Sequence, residues 1–109
     1  MNAGERRAAR HYRLRGWTLL AANAHAGGYE LDLVLRRGRR LVFCEVKEKR
    51  GDGFGSPAEM VDAEKRRRVR RAAAAWLAGR PELAGLTIAF EVAAVRGGRV
   101  RRLPDAGLD

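Results

Sequence analysis

The stretch LVFCEVKEKR (residues 41–50) has the composition of a buried β-strand, yet charged residues interrupt it. Because side chains alternate between the two faces of a strand, one face takes Leu41, Phe43, Glu45 and Lys47, and the other takes Val42, Cys44, Val46 and Glu48. A charge inside a sheet is costly unless it is paired or binds a metal. The tripeptide Glu45-Val46-Lys47 is therefore either an ion pair at the end of a strand or the centre of an active site.

The preceding stretch YELDLVLRR (residues 29–37) predicts the partner strand. It alternates between a face of Tyr29, Leu31, Leu33 and Leu35 and a face of Glu30, Asp32 and Val34. Residues 36–40 are four arginines around Gly38, which predicts a turn and makes residues 29–48 a β-hairpin. Asp32 lies six residues before Gly38 and Glu45 lies seven after it, so we expect the two carboxylates to be cross-strand neighbours.

The segments around the hairpin predict two helices and two or three further strands. Residues 3–15 have the pattern of a helix that stops at Gly16, residues 17–23 that of a strand, and residues 24–28 that of a loop. After the hairpin we predict a loop, a short turn at 57–61 that follows the capping sequence SPAE (residues 56–59), a helix at 63–78 and a strand at 86–95. The sequence RGGRVRRL (residues 96–103) is a turn with the option of an edge strand.

This order, α-β-β-β-α-β, predicts an α/β fold with a mixed sheet flanked by helices. The helix between the third and fourth strands fits a crossover connection, which leaves those two strands parallel. We expect one domain over residues 1–103 and a loose tail over residues 104–109.

Composition favours a polyanionic partner. The chain has 23 basic and 13 acidic residues, a formal charge of +10 and a pI near 11.3, which indicates nucleic acid, although the same charge also serves solubility. The chain lacks the long apolar run of a membrane span and the apolar segment of a secretory signal. Its single cysteine excludes an internal disulfide, so we expect a cytoplasmic protein without a membrane partner.

The residue types at the predicted site suit a divalent metal. Two adjacent carboxylates repel each other unless a cation lies between them, and oxygen ligands on a rigid sheet suit Mg²⁺ or Mn²⁺. Asp32, Glu45 and the backbone carbonyl of Val46 are candidate ligands, and Lys47 could orient a water molecule or stabilise a phosphate. Further candidate ligands are Glu5, from the first helix, and Glu30. The alternative is an acidic cluster that pairs with lysine and binds nothing.

Two basic segments are candidate nucleic-acid surfaces. One lies on the second helix and comprises Lys65, Arg66, Arg67, Arg70 and Arg71. The other is the hairpin turn with Arg36, Arg37, Arg39 and Arg40. Each could bind phosphates or be a solvated face.

A set of residues along the chain resembles a known family. The set comprises Gly4-Glu5, Ala9, Tyr12, Gly16, Asn23, Glu30-Leu31-Asp32-Leu33, Val42-Phe43-Cys44-Glu45-Val46-Lys47, Gly55-Ser56-Pro57 and Lys65. It is similar to the YraN family of small bacterial proteins, which is related to the PD-(D/E)xK nucleases, the restriction-endonuclease-like superfamily that includes Holliday-junction resolvases. Tyr29 and Glu48 depart from the family pattern.

The resemblance implies a restriction-endonuclease-like α-β-β-β-α-β core and places Asp32, Glu45 and Lys47 at catalytic positions. It gives Glu5 the place of an acidic residue that some resolvase-like members carry on their first helix. The function it implies is Mg²⁺-dependent hydrolysis of phosphodiester bonds in DNA, including branched or damaged DNA, with DNA favoured over RNA and a homodimer left open. The alternative is a non-catalytic DNA- or RNA-binding module, or a ribosome-associated protein, on the same fold.

Overall fold

A computed structural model describes residues 1–49 and 62–104. The helices are α1 (Ala3–Arg13) and α2 (Ala63–Ala78), with a short 3₁₀ turn at Pro81–Leu83. The strands are β1 (Thr18–Ala26), β2 (Tyr29–Arg37), β3 (Arg40–Glu48), β4 (Thr87–Arg96) and β5 (Arg99–Leu103). They form one sheet in the order β1-β2-β3-β4-β5.

The connections of the sheet confirm the predicted α/β fold. β1, β2 and β3 form antiparallel neighbours, as do β4 and β5, whereas β3 and β4 are parallel. The parallel pair follows from the crossover through α2, because a chain that returns over the face of a sheet enters the next strand in the same direction. The optional edge strand after Gly98 is present as β5.

Each face of the sheet carries one helix and one apolar core. Val69 and Trp76 of α2 pack with Leu41, Phe43 and Val92 on the first face. On the second face, α1 packs through Ala8, Ala9 and Tyr12 against Leu33, Leu35, Val42 and Cys44. The alternation predicted for β3 is therefore confirmed, since its odd-numbered apolar residues face α2 and its even-numbered ones face α1.

The alternation predicted for β2 is wrong at Asp32. Leu31 packs in the core under α2, whereas Leu33 and Leu35 pack in the core under α1. The β1–β2 ladder pairs Ala24 with Leu31 and Ala22 with Leu33, but omits the pair between them. That position holds Asn23, the one non-glycine residue with positive φ (+49°) in the described part of the chain. Asparagine tolerates the left-handed conformation better than most residues, and here it breaks the regular alternation of both strands.

The boundaries of the first two elements also differ from the prediction. The segment predicted as a loop at 24–28 continues β1 through Ala26, and only Gly27 and Gly28 form the turn, at φ of +55° and +78°. Two glycines in the left-handed region make the two-residue turn that suits the twist of a hairpin, so no longer loop is needed. The first helix ends at Arg13 rather than at residue 15, and Gly16 follows it at φ of +87°.

Some sequence predictions concern residues outside the described ranges. The capping sequence at 56–59 and the turn at 57–61 belong to them, as does the tail beyond Pro104. Within the described ranges, neither helix has both the length and the apolar character needed to cross a membrane.

Candidate active site

Asp32 and Glu45 meet where the β2–β3 ladder ends. The last paired residues of the ladder are Leu33 and Cys44, and the next pair in the same register would be Asp32 with Glu45. At this point the backbone amide of Val46 donates to the Asp32 carboxylate (N to Oδ2, 2.8 Å). The side chain of Asp32 therefore takes the place of a ladder partner, which fixes it beside Glu45. The cross-strand proximity predicted from the sequence is confirmed.

Glu45 is a buried carboxylate with one satisfied oxygen and one unsatisfied oxygen. Only 4% of the residue is exposed. Its Oε1 accepts a hydrogen bond from the Tyr29 hydroxyl (2.8 Å) and lies 4.0 Å from the Lys65 ammonium nitrogen. Its Oε2 is buried and finds no hydrogen-bond partner among the described residues. A buried polar atom without a partner is unusual and needs a physical explanation.

Burial and nearby negative charge raise the pKa of both carboxyl groups. Loss of solvent, followed by the charge of Asp32, raises the pKa of Glu45 from 4.5 to about 7. Burial also raises the pKa of Asp32, and the charge of Glu5 adds to this effect. The two carboxyl groups are close enough to share one proton. Near neutral pH the pair therefore holds a proton or attracts a cation.

The donor set fits a divalent cation in part. Asp32 and the unsatisfied oxygen of Glu45 are the hard oxygen ligands that Mg²⁺ and Mn²⁺ prefer, and Mg²⁺ commonly binds one or two carboxylates while it keeps several waters. Over residues 1–49 and 62–104, no three His, Cys, Asp or Glu side chains gather in a group that could hold a metal. A cation here would thus rely on two carboxylates, with backbone, water or substrate oxygens for the rest. The Val46 carbonyl stays a prediction as one of these.

Lys47 and Lys65 approach the carboxylates from different elements. Lys47 lies on the Glu45 face of β3, because their partners on β4, Ala94 and Val92, both belong to the core under α2. It is half-buried and makes no ion pair within the described ranges. Two residues along a strand place it about 7 Å from Glu45. Lys65, predicted as part of a nucleic-acid surface, reaches Glu45 from the first turn of α2.

Glu5 lies beside the carboxylate pair but is held by other partners. It is 7% exposed, and its charge raises the pKa of Asp32. One oxygen accepts from the backbone amide of Asn2 (2.8 Å), as part of the capping box that begins α1, and the other accepts from the Asn23 amide (3.1 Å). In this geometry Glu5 contributes negative charge next to the site, and both of its oxygens are already hydrogen-bonded.

Glu30 lies apart from this group. It is exposed, and its Oε2 lies 3.7 Å from the Nε2 of His25 across the hairpin. Strict alternation would put Glu30 on the face of Asp32, but the alternation of β2 breaks at Asp32. Tyr29 and Leu31, on either side of Glu30, both pack toward α2, so Glu30 lies on the opposite face from Glu45.

The two predicted basic surfaces differ in their relation to the site. Arg66, Arg67, Arg70 and Arg71 are exposed on α2, the helix that also carries Lys65 to Glu45. The hairpin turn lies five residues along β3 from Glu45, about 17 Å away.

The arginines of the hairpin turn make contacts within the chain. Arg37 and Arg40 lie over the ring of Trp17, at 4.8 and 5.7 Å from its centre. Arg36 donates to the Gly38 carbonyl (2.9 Å) and Arg39 to the Gly85 carbonyl (3.1 Å). The structure thus brings only the α2 surface next to the carboxylates.

Sequence reasoning missed Tyr29 and Asn23 as members of the site. Tyr29 departs from the family pattern, yet it donates to Glu45, and burial together with that bond raises its own pKa. Asn23 was among the residues of the resemblance, and the structure shows that it holds Glu5. The signal for Asn23 was a polar residue within an apolar strand, which marks an irregular backbone or a polar contact.

A second buried charge, Glu91, was also missed. It lies on β4 and is 3% exposed. Arg102 binds both of its oxygens at 2.8 Å, and the Tyr12 hydroxyl donates to it at 2.8 Å. Burial alone would raise the pKa of Glu91, but these hydrogen bonds and the Arg102 charge lower it. Because every partner is supplied, this cluster ties α1 and β5 to the sheet and differs from the unsatisfied Glu45 pair.

The fold and site define a mixed α/β domain in which a buried glutamate and a half-buried aspartate meet between a hairpin and a crossover helix. Residues 4–95 match the family model described as "Uncharacterised protein family UPF0102". A UPF0102 protein of Serratia proteamaculans (strain 568) is 42% identical over 108 residues, which cover 97% of this chain and 92% of the relative. A UPF0102 protein of Frankia alni is 48% identical over 92 residues, which cover 84% and 76%. The chain belongs to the UPF0102 family, the YraN family that its motif residues resemble.

Proposed function

We propose that this protein is a divalent-metal-dependent nuclease that hydrolyses phosphodiester bonds in DNA. The observation that carries the proposal is the buried Glu45 carboxylate, which shares its site with Asp32 and leaves one oxygen without a partner. A buried carboxylate beside a half-buried one is unfavourable for folding, so a bound cation explains the arrangement better than a structural role does. The fully paired Glu91 cluster shows how the same chain buries a carboxylate for structure.

The roles of the residues follow from their positions. Bound Mg²⁺ or Mn²⁺ would polarise the scissile phosphate and lower the pKa of a water molecule. Asp32 and Glu45 would hold the ion, and the hydrogen bond from Tyr29 fixes the orientation of the Glu45 carboxylate. Lys47, on the same face, would orient the attacking water and stabilise charge on the phosphate. Lys65 would become free to contact phosphate once a cation replaces it beside Glu45.

The surface of α2 would hold the DNA over the site. Arg67 and Arg71 are exposed and lie one helical turn apart. Among the described residues, neither of them forms an ion pair with an acidic side chain. The alternative, a DNA- or RNA-binding module without catalysis, uses the same surface, and the net charge of +10 favours it equally. The unsatisfied carboxylate is the observation that favours a nuclease over this alternative.

Cleavage of linear, flapped and four-way DNA in Mg²⁺, Mn²⁺ or EDTA tests the proposal. Glu45→Gln and Lys47→Ala should abolish cleavage and keep DNA binding within about threefold, because neither residue belongs to the α2 surface that would hold the DNA. Glu48→Gln is the matched control, since this exposed carboxylate lies on the same strand and faces α1. Cleavage that persists in EDTA, or tight salt-sensitive binding without cleavage of any substrate, would overturn the nuclease proposal.

A further inference from the structure

A basic groove lies on the face of the sheet opposite to α2. It runs between α1 and the turn that joins β4 to β5, and has a volume of about 430 Å³. Its lining consists of Arg7, Arg10, His11, Leu14, Arg15, Gly98 and Val100. These residues belong to neither of the basic segments that the sequence singled out.

The shape of the groove depends on a close approach of α1 to the β4–β5 turn. A methyl group on Gly98 would lie 2.7 Å from the guanidinium of Arg7, so this arginine lies directly against the turn. Gly97 and Gly98 have φ of +54° and +81°, the conformation of a tight hairpin turn. Arg15 donates to the carbonyl of His11 (3.0 Å), which places its side chain along the last turn of α1.

The positive charge of the groove has no acidic partner in its lining. Three arginines and one histidine line it, and no carboxylate does so among the described residues. The two buried carboxylates nearest to α1 are already committed, Glu5 to Asn2 and Asn23, and Glu91 to Arg102 and Tyr12. Burial, Arg15 and Arg102 lower the pKa of His11, as expected where positive charges accumulate. The groove thus offers several guanidinium groups to an anion that the chain does not supply.

We propose that this groove binds the phosphate backbone of a second nucleic-acid segment. α1 and α2 cover opposite faces of one sheet, so their arginines point away from each other and a single straight duplex can contact only one of them. Guanidinium groups bind phosphate through paired hydrogen bonds, and a row of them along a helix follows a backbone. One molecule would therefore hold two segments at once. This inference rests on nucleic acid as the ligand of α2 but does not require catalysis.

A bridging experiment tests this inference. One 20-base-pair duplex is fixed to beads, a second carries a fluorophore, and capture of the second by the protein is measured in EDTA. The double variant Arg10→Glu/Arg15→Glu should still bind the fixed duplex through α2 but lose about tenfold in capture of the second. Removing two phosphate contacts should also lower the salt dependence of capture by about two units of log–log slope.

The same helix provides a control with an equal change of charge. Arg6→Glu/Arg13→Glu alters two exposed arginines of α1 that do not line the groove, and it should retain capture within about threefold. Circular dichroism and thermal melting of each variant verify the fold. Equal capture by the two double variants, or binding of one duplex per molecule without bridging, would overturn the inference. Bridging by a dimer through two α2 surfaces would survive in the groove variant and overturn it as well. If the protein bridges two duplexes but cleaves none, only the nuclease proposal is refuted.

Discussion

Substitution of Glu45 by glutamine should stabilise the metal-free protein at alkaline pH. Glutamine has the same shape, its carbonyl can accept the hydrogen bond from Tyr29, and its amide can donate to Asp32 where the native carboxylate can only repel it. The pair of like charges is thus replaced by a hydrogen bond. If a buried side chain of the same shape makes the protein more stable, that is direct evidence that the native residue serves binding rather than folding.

The magnitude follows from the pKa of Glu45, which the fold raises from 4.5 to about 7. At about 1.4 kcal/mol per unit, ionisation of this carboxyl lowers the free energy of unfolding by about 3 kcal/mol. Because an acid with a raised pKa is favoured in its protonated form, this loss is absent below pH 4.5, develops between pH 4.5 and 7, and is complete above pH 7. Burial of the amide offsets part of the gain, so we expect the variant to be more stable by about 2 kcal/mol at pH 8.

Urea and thermal unfolding of both proteins at pH 4, 6 and 8 in EDTA measure this difference. For a domain of this size, about 2 kcal/mol corresponds to a rise of about 10 °C in melting temperature. Glu48→Gln should show no such pH-dependent gain, since that side chain is exposed. Added Mn²⁺ should stabilise the native protein and leave the Glu45 variant unchanged. A Glu45 variant that is less stable at pH 8, or a difference that is constant with pH, would refute the reasoning.

Three further expectations concern the contacts around Glu45, the contacts around Glu91, and the turn between β1 and β2. Tyr29→Phe removes a hydrogen bond that lowers the pKa of Glu45, so a ¹³C carboxyl titration should move up by about one unit, and an unchanged midpoint would contradict that contact. Arg102→Met leaves Glu91 buried without its ion pair and should cost about 3 kcal/mol in urea unfolding at pH 7. Since Arg102 lowers the pKa of Glu91, the native protein should lose stability as pH falls below 4.5, and a variant that loses it equally would argue against this origin. Gly27→Val places a Cβ 3.1 Å from the Arg71 carbonyl at φ of +55°, so it should lower the melting temperature by several degrees, whereas Gly28→Val, which meets no atom within 4 Å, should cost less.

Sequence alone determined the parts of the site that lie within one hairpin. The face of Glu45 and Lys47 follows from the period of β3, and the neighbourhood of Asp32 and Glu45 follows from their distances to the turn at Gly38. The parallel pairing of β3 and β4 follows from the helical crossover between them. These features depend on local geometry, in which alternation and turn length leave few choices.

Tertiary structure alone decided which groups complete the site. Lys65 reaches Glu45 because α2 packs its first turn over the sheet, and no spacing in the sequence fixes how far that helix extends along the sheet. Asn23 adopts a left-handed conformation that reverses the alternation beside Asp32, which a strict period of two could not foresee. Tyr29 of β2 donates to Glu45 of the neighbouring β3, beyond the point where the ladder between these strands ends. The charge balance of the buried pair depends on these long-range contacts, because it is packing that decides how much water and how many donors each carboxylate retains.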